Sequence, residues 1–415
     1  MIIRLKHKHF LNILIICFLF ICIFFPGDPY HLKLLFLGLI IIRECGLILK
    51  SIIKKRYLYV TIMGGLYPIL LMIWSSVIGG NIGASISGAY SPFIFFLLII
   101  VVERHIDYKK YFMGLLQLEV VSVCCIVALD ALRIININFP NFITNAFYTF
   151  DMGLIGKNRG FAAYYKVFFK SSPLLIILIP YCFEKKKYFF AGLTLLAMLF
   201  SGTRGNIFAA AAVLLYECFV LWKFEKRVQA ISLLISLGSI IIIALLSPLI
   251  IRRISGMMTA AGSVSSDSVR AGQLSSFLDT LRNPKNMILG MGFGSTFFDS
   301  GRSVFTGSSE IAYLDLIRKI GLIWSIPFFI FIFRPFGWKF RSDYKIAYLG
   351  YLVICFTNPL LFSSTAYVLY IFMYQFNYMK HDHMSKLLMP NALQNSQNSN
   401  RCFIEPKAES CMLER

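Results

Sequence analysis

Ten charged side chains crowd the segment 252–310: Arg252, Arg253, Arg270, Arg282, Lys285 and Arg302 against Asp267, Asp279, Asp299 and Glu310. A solvated loop with ordinary ion pairs accounts for part of this pattern. The other reading is an anion site, because the planar guanidinium fork matches two oxygens of a phosphate or pyrophosphate. Arg204, in Ser201-Gly-Thr-Arg-Gly205, and Arg159, just before Phe161, sit where two apolar runs end. There an arginine either snorkels to a membrane interface or meets a charged headgroup. Glu310 follows Gly307-Ser-Ser and opens a helical run. It is either a first-turn glutamate favoured by the helix dipole or a carboxylate that takes a proton from an attacking hydroxyl. Gly290-Met-Gly-Phe-Gly294 lacks the spacing of a dinucleotide fingerprint and reads as a tight turn that folds the segment back.

The elements that must position these groups are apolar. Of 415 residues, 58% are hydrophobic and 15% charged, against about 45–50% and 25% in an ordinary globular domain. Such a surface belongs in a bilayer. The net charge of +21 sits in short clusters between apolar runs, which is an orientation signal and not a nucleic-acid face. No nucleic-acid partner is expected, and neither a disulfide framework nor metal-ligand spacing is visible among the ten cysteines and six histidines.

A spanning helix takes about 20 apolar residues. Twelve segments qualify or nearly so: 10–26, 31–50, 57–79, 84–102, 111–134, 161–183, 188–201, 205–222, 229–251, 311–333, 346–361 and 364–379. The expectation is therefore an all-α polytopic membrane protein, with one transmembrane domain over 1–379 and a polar, disordered cytoplasmic tail over 380–415. The first apolar run ends Phe24-Phe25-Pro26-Gly27-Asp28 and offers no small-residue cleavage site, so it reads as a retained helix. With the N-terminus inside, loops 50–56, 103–110, 184–187, 223–228 and 334–345 are all inside and all basic, as the positive-inside rule requires. Both termini are then cytoplasmic. Two long segments lie outside, 136–160 and 252–310, the second between helices 9 and 10 and containing a short helix near 277–282. Charges within spans normally face a cavity or one another. Arg43 and Glu44 read as structural, whereas Asp130 and Arg133 either pair or border the site, and Glu119 lies deeper on the same span.

With these residues in view, the chain resembles the O-antigen polymerase and ligase superfamily. Ser201-Gly-Thr-Arg-Gly205 is similar to that family's Ser-x-Ser-Arg signature. Ser268-Val-Arg270, Pro284, Leu289-Gly-Met-Gly-Phe-Gly294 and the helix from Glu310 to Leu322 resemble its large periplasmic loop and following helix. Arg159-Gly-Phe and the Asn358-Pro-Leu-Leu-Phe-Ser-Ser364 hairpin fit as well. Two departures stand out. Ligases of the superfamily tend to have histidine where this chain has Glu310, which favours a polymerase. The span after Arg159 carries Lys166, Lys170 and Ser171-Ser172-Pro173 in place of the family's more usual residues there.

The resemblance implies an inner-membrane glycosyltransferase of lipopolysaccharide or related polysaccharide biosynthesis. It would join undecaprenyl-pyrophosphate-linked oligosaccharides at the periplasmic face, with no cofactor and with a chain-length regulator as a candidate partner. It also implies Glu310 as base or hydroxyl positioner, Arg204 and Arg270 on the pyrophosphate, and Arg159 and Arg253 as further anion contacts. A ligase of the same superfamily and a polysaccharide flippase or transporter are the alternatives.

Overall fold

The computed structural model describes residues 2–28, 30–79, 82–158, 164–224, 266–339 and 341–379. They are mostly helical, as the apolar runs dictate. In chain order the helices are α1 (Ile2–Phe24), α2 (Leu32–Ile52), α3 (Lys55–Ile78), α4 (Ile82–Glu103), α5 (Tyr108–Ala131) and α6 (Phe142–Thr149). Then come α7 (Ser172–Glu184), α8 (Tyr188–Phe200), α9 (Arg204–Phe224), α10 (Ser266–Leu281), α11 (Pro284–Leu289), α12 (Ala312–Phe333), α13 (Ser342–Ile354) and α14 (364–379). Among the described residues, five stretches are long and apolar enough to cross a membrane: Lys55–Ile78, Ile82–Glu103, Tyr108–Ala131, Gly205–Trp222 and Ala312–Gly337. The segments 229–251 and 380–415 lie outside the described residues.

The structure departs from the all-α expectation in two small antiparallel hairpins. Strand β1 (Gly153–Asn158) pairs with β2 (Tyr164–Phe169), and β3 (Phe297–Asp299) pairs with β4 (Val304–Thr306). The first hairpin corrects the sixth expected span. Instead of a helix from Phe161, the aromatic and β-branched run through Val167 and Phe169 forms β2, as such residues favour. The helix starts only at Ser172, where Pro173 presets its first turn. Likewise α13 stops at Ile354, short of the expected 361, ahead of Asn358-Pro359.

One slab of aromatic side chains holds α3, α4, α12 and α14 together. The Phe331 ring lies 4.9, 5.9, 5.4 and 5.0 Å from those of Phe95, Tyr367, Tyr370 and Tyr374. Buried tyrosines need a partner for the hydroxyl, and Tyr370 and Tyr374 find backbone carbonyls. Tyr374 donates to Phe331 O at 2.8 Å, the carbonyl whose helical donor would be the N–H that Pro335 lacks.

An ionic ring sets the level of one end of the bundle. Glu184 accepts from Lys109 Nζ and Tyr344 Oη at 2.8 and 2.7 Å, and Arg341 lies 3.2 Å away. Tyr216 Oη bonds Ser342 Oγ at 2.9 Å. From this ring α5 runs 24 residues, roughly 36 Å at 1.5 Å per residue. Helices α8 and α13 have 13 residues each, roughly 20 Å. Their far ends therefore stop well short of the far end of α5.

Candidate functional site

The chemistry gathers at the far end, in a cap built from 266–320. Helix α10 is longer than the short helix expected near 277–282. It places Arg270, Gln273, Ser276 and Phe277 on one face, at helical spacing. Phe277 stacks on Phe297 of β3 with centroids 4.8 Å apart. Gly272 and Gly301 let the hairpin turn abut the helix: a methyl on Gly272 would meet Gly301 Cα at 2.4 Å.

Three charged groups meet where α10, the β3–β4 turn and the lead-in to α12 converge. Arg302 Nη2 donates to Glu310 Oε1 at 2.6 Å, and Arg270 Nε donates to Oε2 of the same carboxylate at 3.3 Å. Glu310 is thus held between two guanidiniums from different elements. The side chains are 33% (Arg270), 43% (Arg302) and 30% (Glu310) exposed, so an anion approaching from solvent reaches all three. Glu310 does not act as a helix cap, because α12 begins at Ala312 and the capping position falls to Ile311.

Beneath this surface lies a buried polar network. Gln273 Nε2 donates to Asp299 Oδ2 at 2.8 Å, and Ser309 Oγ donates to Gln273 Oε1 at 2.8 Å. Asp299 Oδ1 accepts from the backbone N–H of Gly301 and Arg302 at 2.9 and 3.2 Å. The carboxylate can only accept, so the amide nitrogen must face it.

A second buried group ties the cap to α12. Arg318, fully buried, donates to Asp315 Oδ1 through Nε and Nη2 at 3.1 and 2.8 Å, to Ser295 Oγ at 2.8 Å and to Gly307 O at 2.9 Å. Its guanidinium covers the Phe297 ring at 4.6 Å. The glycine-rich segment turns as expected, with positive φ at Gly290 and Gly292. Met291 N and Gly292 N donate to Arg318 O and Lys319 O, both at 2.8 Å, carbonyls left free where α12 breaks at Gly321 (φ 71°). Trp74 Nε1 donates to Leu289 O and Ser75 Oγ accepts from Phe293 N, seating the turn on α3.

Arg204 stands at the first residue of α9, after the left-handed Gly202 (φ 69°). A methyl on Gly205 would lie 3.7 Å from Thr357 Oγ1. Phe356 next to it stacks on Tyr313 at 4.3 Å, and Tyr313 donates to Leu352 O. Tyr313 is three residues from Glu310, so the Arg204 turn and the Glu310 cluster occupy the same end of the bundle. Arg159 and Arg253 lie outside the described residues.

Other charges serve the scaffold. Glu44 takes a two-donor contact from Arg104 at 2.9 and 2.6 Å, tying α2 to α4. Asp130 Oδ1 accepts from Ile137 N and organises the chain after α5. Glu119 is fully buried beside Ser171.

Sequence reasoning selected Arg270 and Glu310 and counted Arg302 among the basic residues of the segment without assigning it a role, but passed over Gln273 and Arg318. The i,i+3 and i,i+4 spacing of Asp315 with Arg318 and Lys319 was visible. Gln273 carried no signal beyond lying one helical turn after Arg270. No protein-family model, curated protein or solved structure matches this chain.

Proposed function

We propose that this chain is a polysaccharide polymerase: an inner-membrane glycosyltransferase that joins undecaprenyl-pyrophosphate-linked oligosaccharides at the periplasmic face. In this reading it spans the membrane about twelve times, with both termini cytoplasmic and the cap outside. The observation that carries the reading is the carboxylate of Glu310 clasped by Arg302 and Arg270, at 2.6 and 3.3 Å.

The chemistry follows from competition for those guanidiniums. A pyrophosphate offers them denser negative charge than one carboxylate and engages them bidentately. Its arrival loosens Glu310 from its ion pairs and stations it beside the reacting carbon. An acceptor sugar hydroxyl then attacks the anomeric carbon of the donor chain. The bond from that carbon to the pyrophosphate oxygen breaks, undecaprenyl pyrophosphate leaves, and the hydroxyl proton passes to Glu310. Arg270 and Arg302 stabilise the charge gathering on the leaving group. Arg204, at the same end of the bundle, is assigned to the carrier headgroup, with Arg159 and Arg253 as further anion contacts. The product emerges one repeat unit longer.

A deletion strain tests this. In a polymerase null, the surface-polysaccharide ladder collapses to core plus one repeat unit, and the wild-type gene restores it. Core without any repeat, with polymer retained on its carrier, identifies a ligase. An unchanged ladder removes the proposal and favours a transporter. Long polymer made by a Glu310→Gln, Arg270→Ala double variant would overturn the site assignment.

A further inference from the structure

We infer that Gln273 is the positioning residue of this site, setting Arg302 and Glu310 at pairing distance through a buried amide. The inference rests on the polymerase reading only for its effect on activity.

Three segments supply the clasp, Arg270 from a helix 40 residues before Glu310 and Arg302 from a turn only eight before it, and Gln273 is the group bonded to the supports of two of them. On one side its Nε2 donates to Asp299. That carboxylate, through its other oxygen, accepts from Gly301 N and Arg302 N and so sets the turn that presents Arg302. On the other side Gln273 Oε1 accepts from Ser309 Oγ, whose oxygen also accepts from Ile311 N at 3.1 Å. Ser309 and Ile311 flank Glu310. Its own helix carries Arg270 three residues earlier, on the same face. Gln273 and Asp299 are fully buried and Ser309 is 3% exposed.

The chemistry permits few substitutes. The position must donate to a carboxylate and accept from a hydroxyl at once, which a primary amide does. A carboxylate there faces Asp299 and repels it. An apolar side chain leaves Asp299 buried without its side-chain donor, which is costly. A cation satisfies Asp299 but offers Ser309 no acceptor. The clasp is held so firmly at its base because its upper groups are half in water, where ion pairs alone do not fix geometry.

The test exchanges amide and carboxylate in the full-length protein. Gln273→Glu places two carboxylates face to face. Adding Asp299→Asn restores one amide donor and one carboxylate acceptor with reversed roles, and the amide oxygen introduced at 299 still accepts from the turn. Polymer made in the deletion strain is measured per folded molecule, the folded amount taken from size-exclusion chromatography in detergent. The expected result is a fall of about a hundredfold for Gln273→Glu, the scale of an ångström misplacement at a reacting centre, with most of it recovered in the exchange pair. Unchanged activity per folded molecule, whatever the yield, overturns the inference.

A second readout needs no activity. Cysteines replace Arg302 and Glu310 in each background, a short bis-maleimide that alkylates both thiols is added, and the linked peptide is read by mass spectrometry. Linking in the Gln273 and exchange backgrounds, lost with Gln273→Glu, supports the positioning role even if the wild type makes no polymer. Equal linking in all three backgrounds overturns it.

Discussion

Arg302 Nη2, on the β3–β4 turn, lies 2.6 Å from Oε1 of Glu310 just ahead of α12, and the second oxygen of the same carboxylate receives Arg270 from α10. One carboxylate against two guanidiniums leaves a net positive charge at the lip of the bundle. With 30–43% of these side chains exposed, water screens the pairs. Each contributes about 0–1 kcal/mol to stability, as surface ion pairs do. The cluster is cheap to break and open to an incoming anion, which suits a binding site better than a structural tie.

Glu310→Gln keeps the shape of the side chain and removes its capacity to take a proton. We expect polymer formation to fall roughly 10²–10⁴-fold, the usual contribution of a general base. The heat-denaturation midpoint of the purified protein should stay near that of the wild type. A comparable loss of thermal stability would instead mark Glu310 as structural.

Arg302→Lys retains the charge but not the fork. If the group binds pyrophosphate through two parallel hydrogen bonds, lysine substitutes poorly. Kinetics with a lipid-linked substrate should then show a raised KM, and Arg302→Ala should raise it further. Inorganic pyrophosphate should inhibit the wild type, and do so less as salt is raised, because the exposed charges are screened. Equal KM values for the lysine variant and the wild type would assign Arg302 elsewhere.

Arg318→Leu tests the tie between cap and bundle. It strands Asp315 in a buried setting with only Lys319 opposite, at 2.6 Å, and frees the Ser295 and Gly307 contacts. Breaking a buried pair in this way costs about 3–5 kcal/mol. The measurable outcome is rapid protease cleavage within 284–310, which a second change, Asp315→Leu, should partly reverse.

Gly321→Ala meets two obstacles together. The new methyl would sit 2.3 Å from Ile288 O, and the backbone there has φ 71°. A left-handed non-glycine residue alone costs about 1–3 kcal/mol, and the clash adds to it. Thermal unfolding in detergent should move down markedly, whereas Gly192→Ala, with nothing within 4 Å of its added methyl, should leave it unchanged.

Much of the scaffold was legible in the chain. Apolar runs located the helices, because an apolar segment must either pack inward or meet lipid. Pro284 and the glycines at 290 and 292 marked breaks, because their backbone preferences are local. The strand at 164–169 was misread as helix. A run of apolar aromatics suits either form, and only pairing with 153–158 decides between them. Charge type and position pointed to Arg270 and Glu310, since basic residues in a loop expected outside run against the orientation bias.

What the chain determined by itself, then, was the set of groups able to do chemistry and the apolar elements able to carry them; both are properties of single segments. Which groups meet was decided by the fold. Gln273 and Ser309 had no marker in the sequence, and nothing there paired Arg302 with Glu310. Their roles come from hydrogen bonds that span 26 and 36 residues at Gln273, and from α10 docking on a hairpin through two glycines. Side-chain pairing across such separations depends on packing directions that no local preference encodes, so the clasp exists only once the cap has closed.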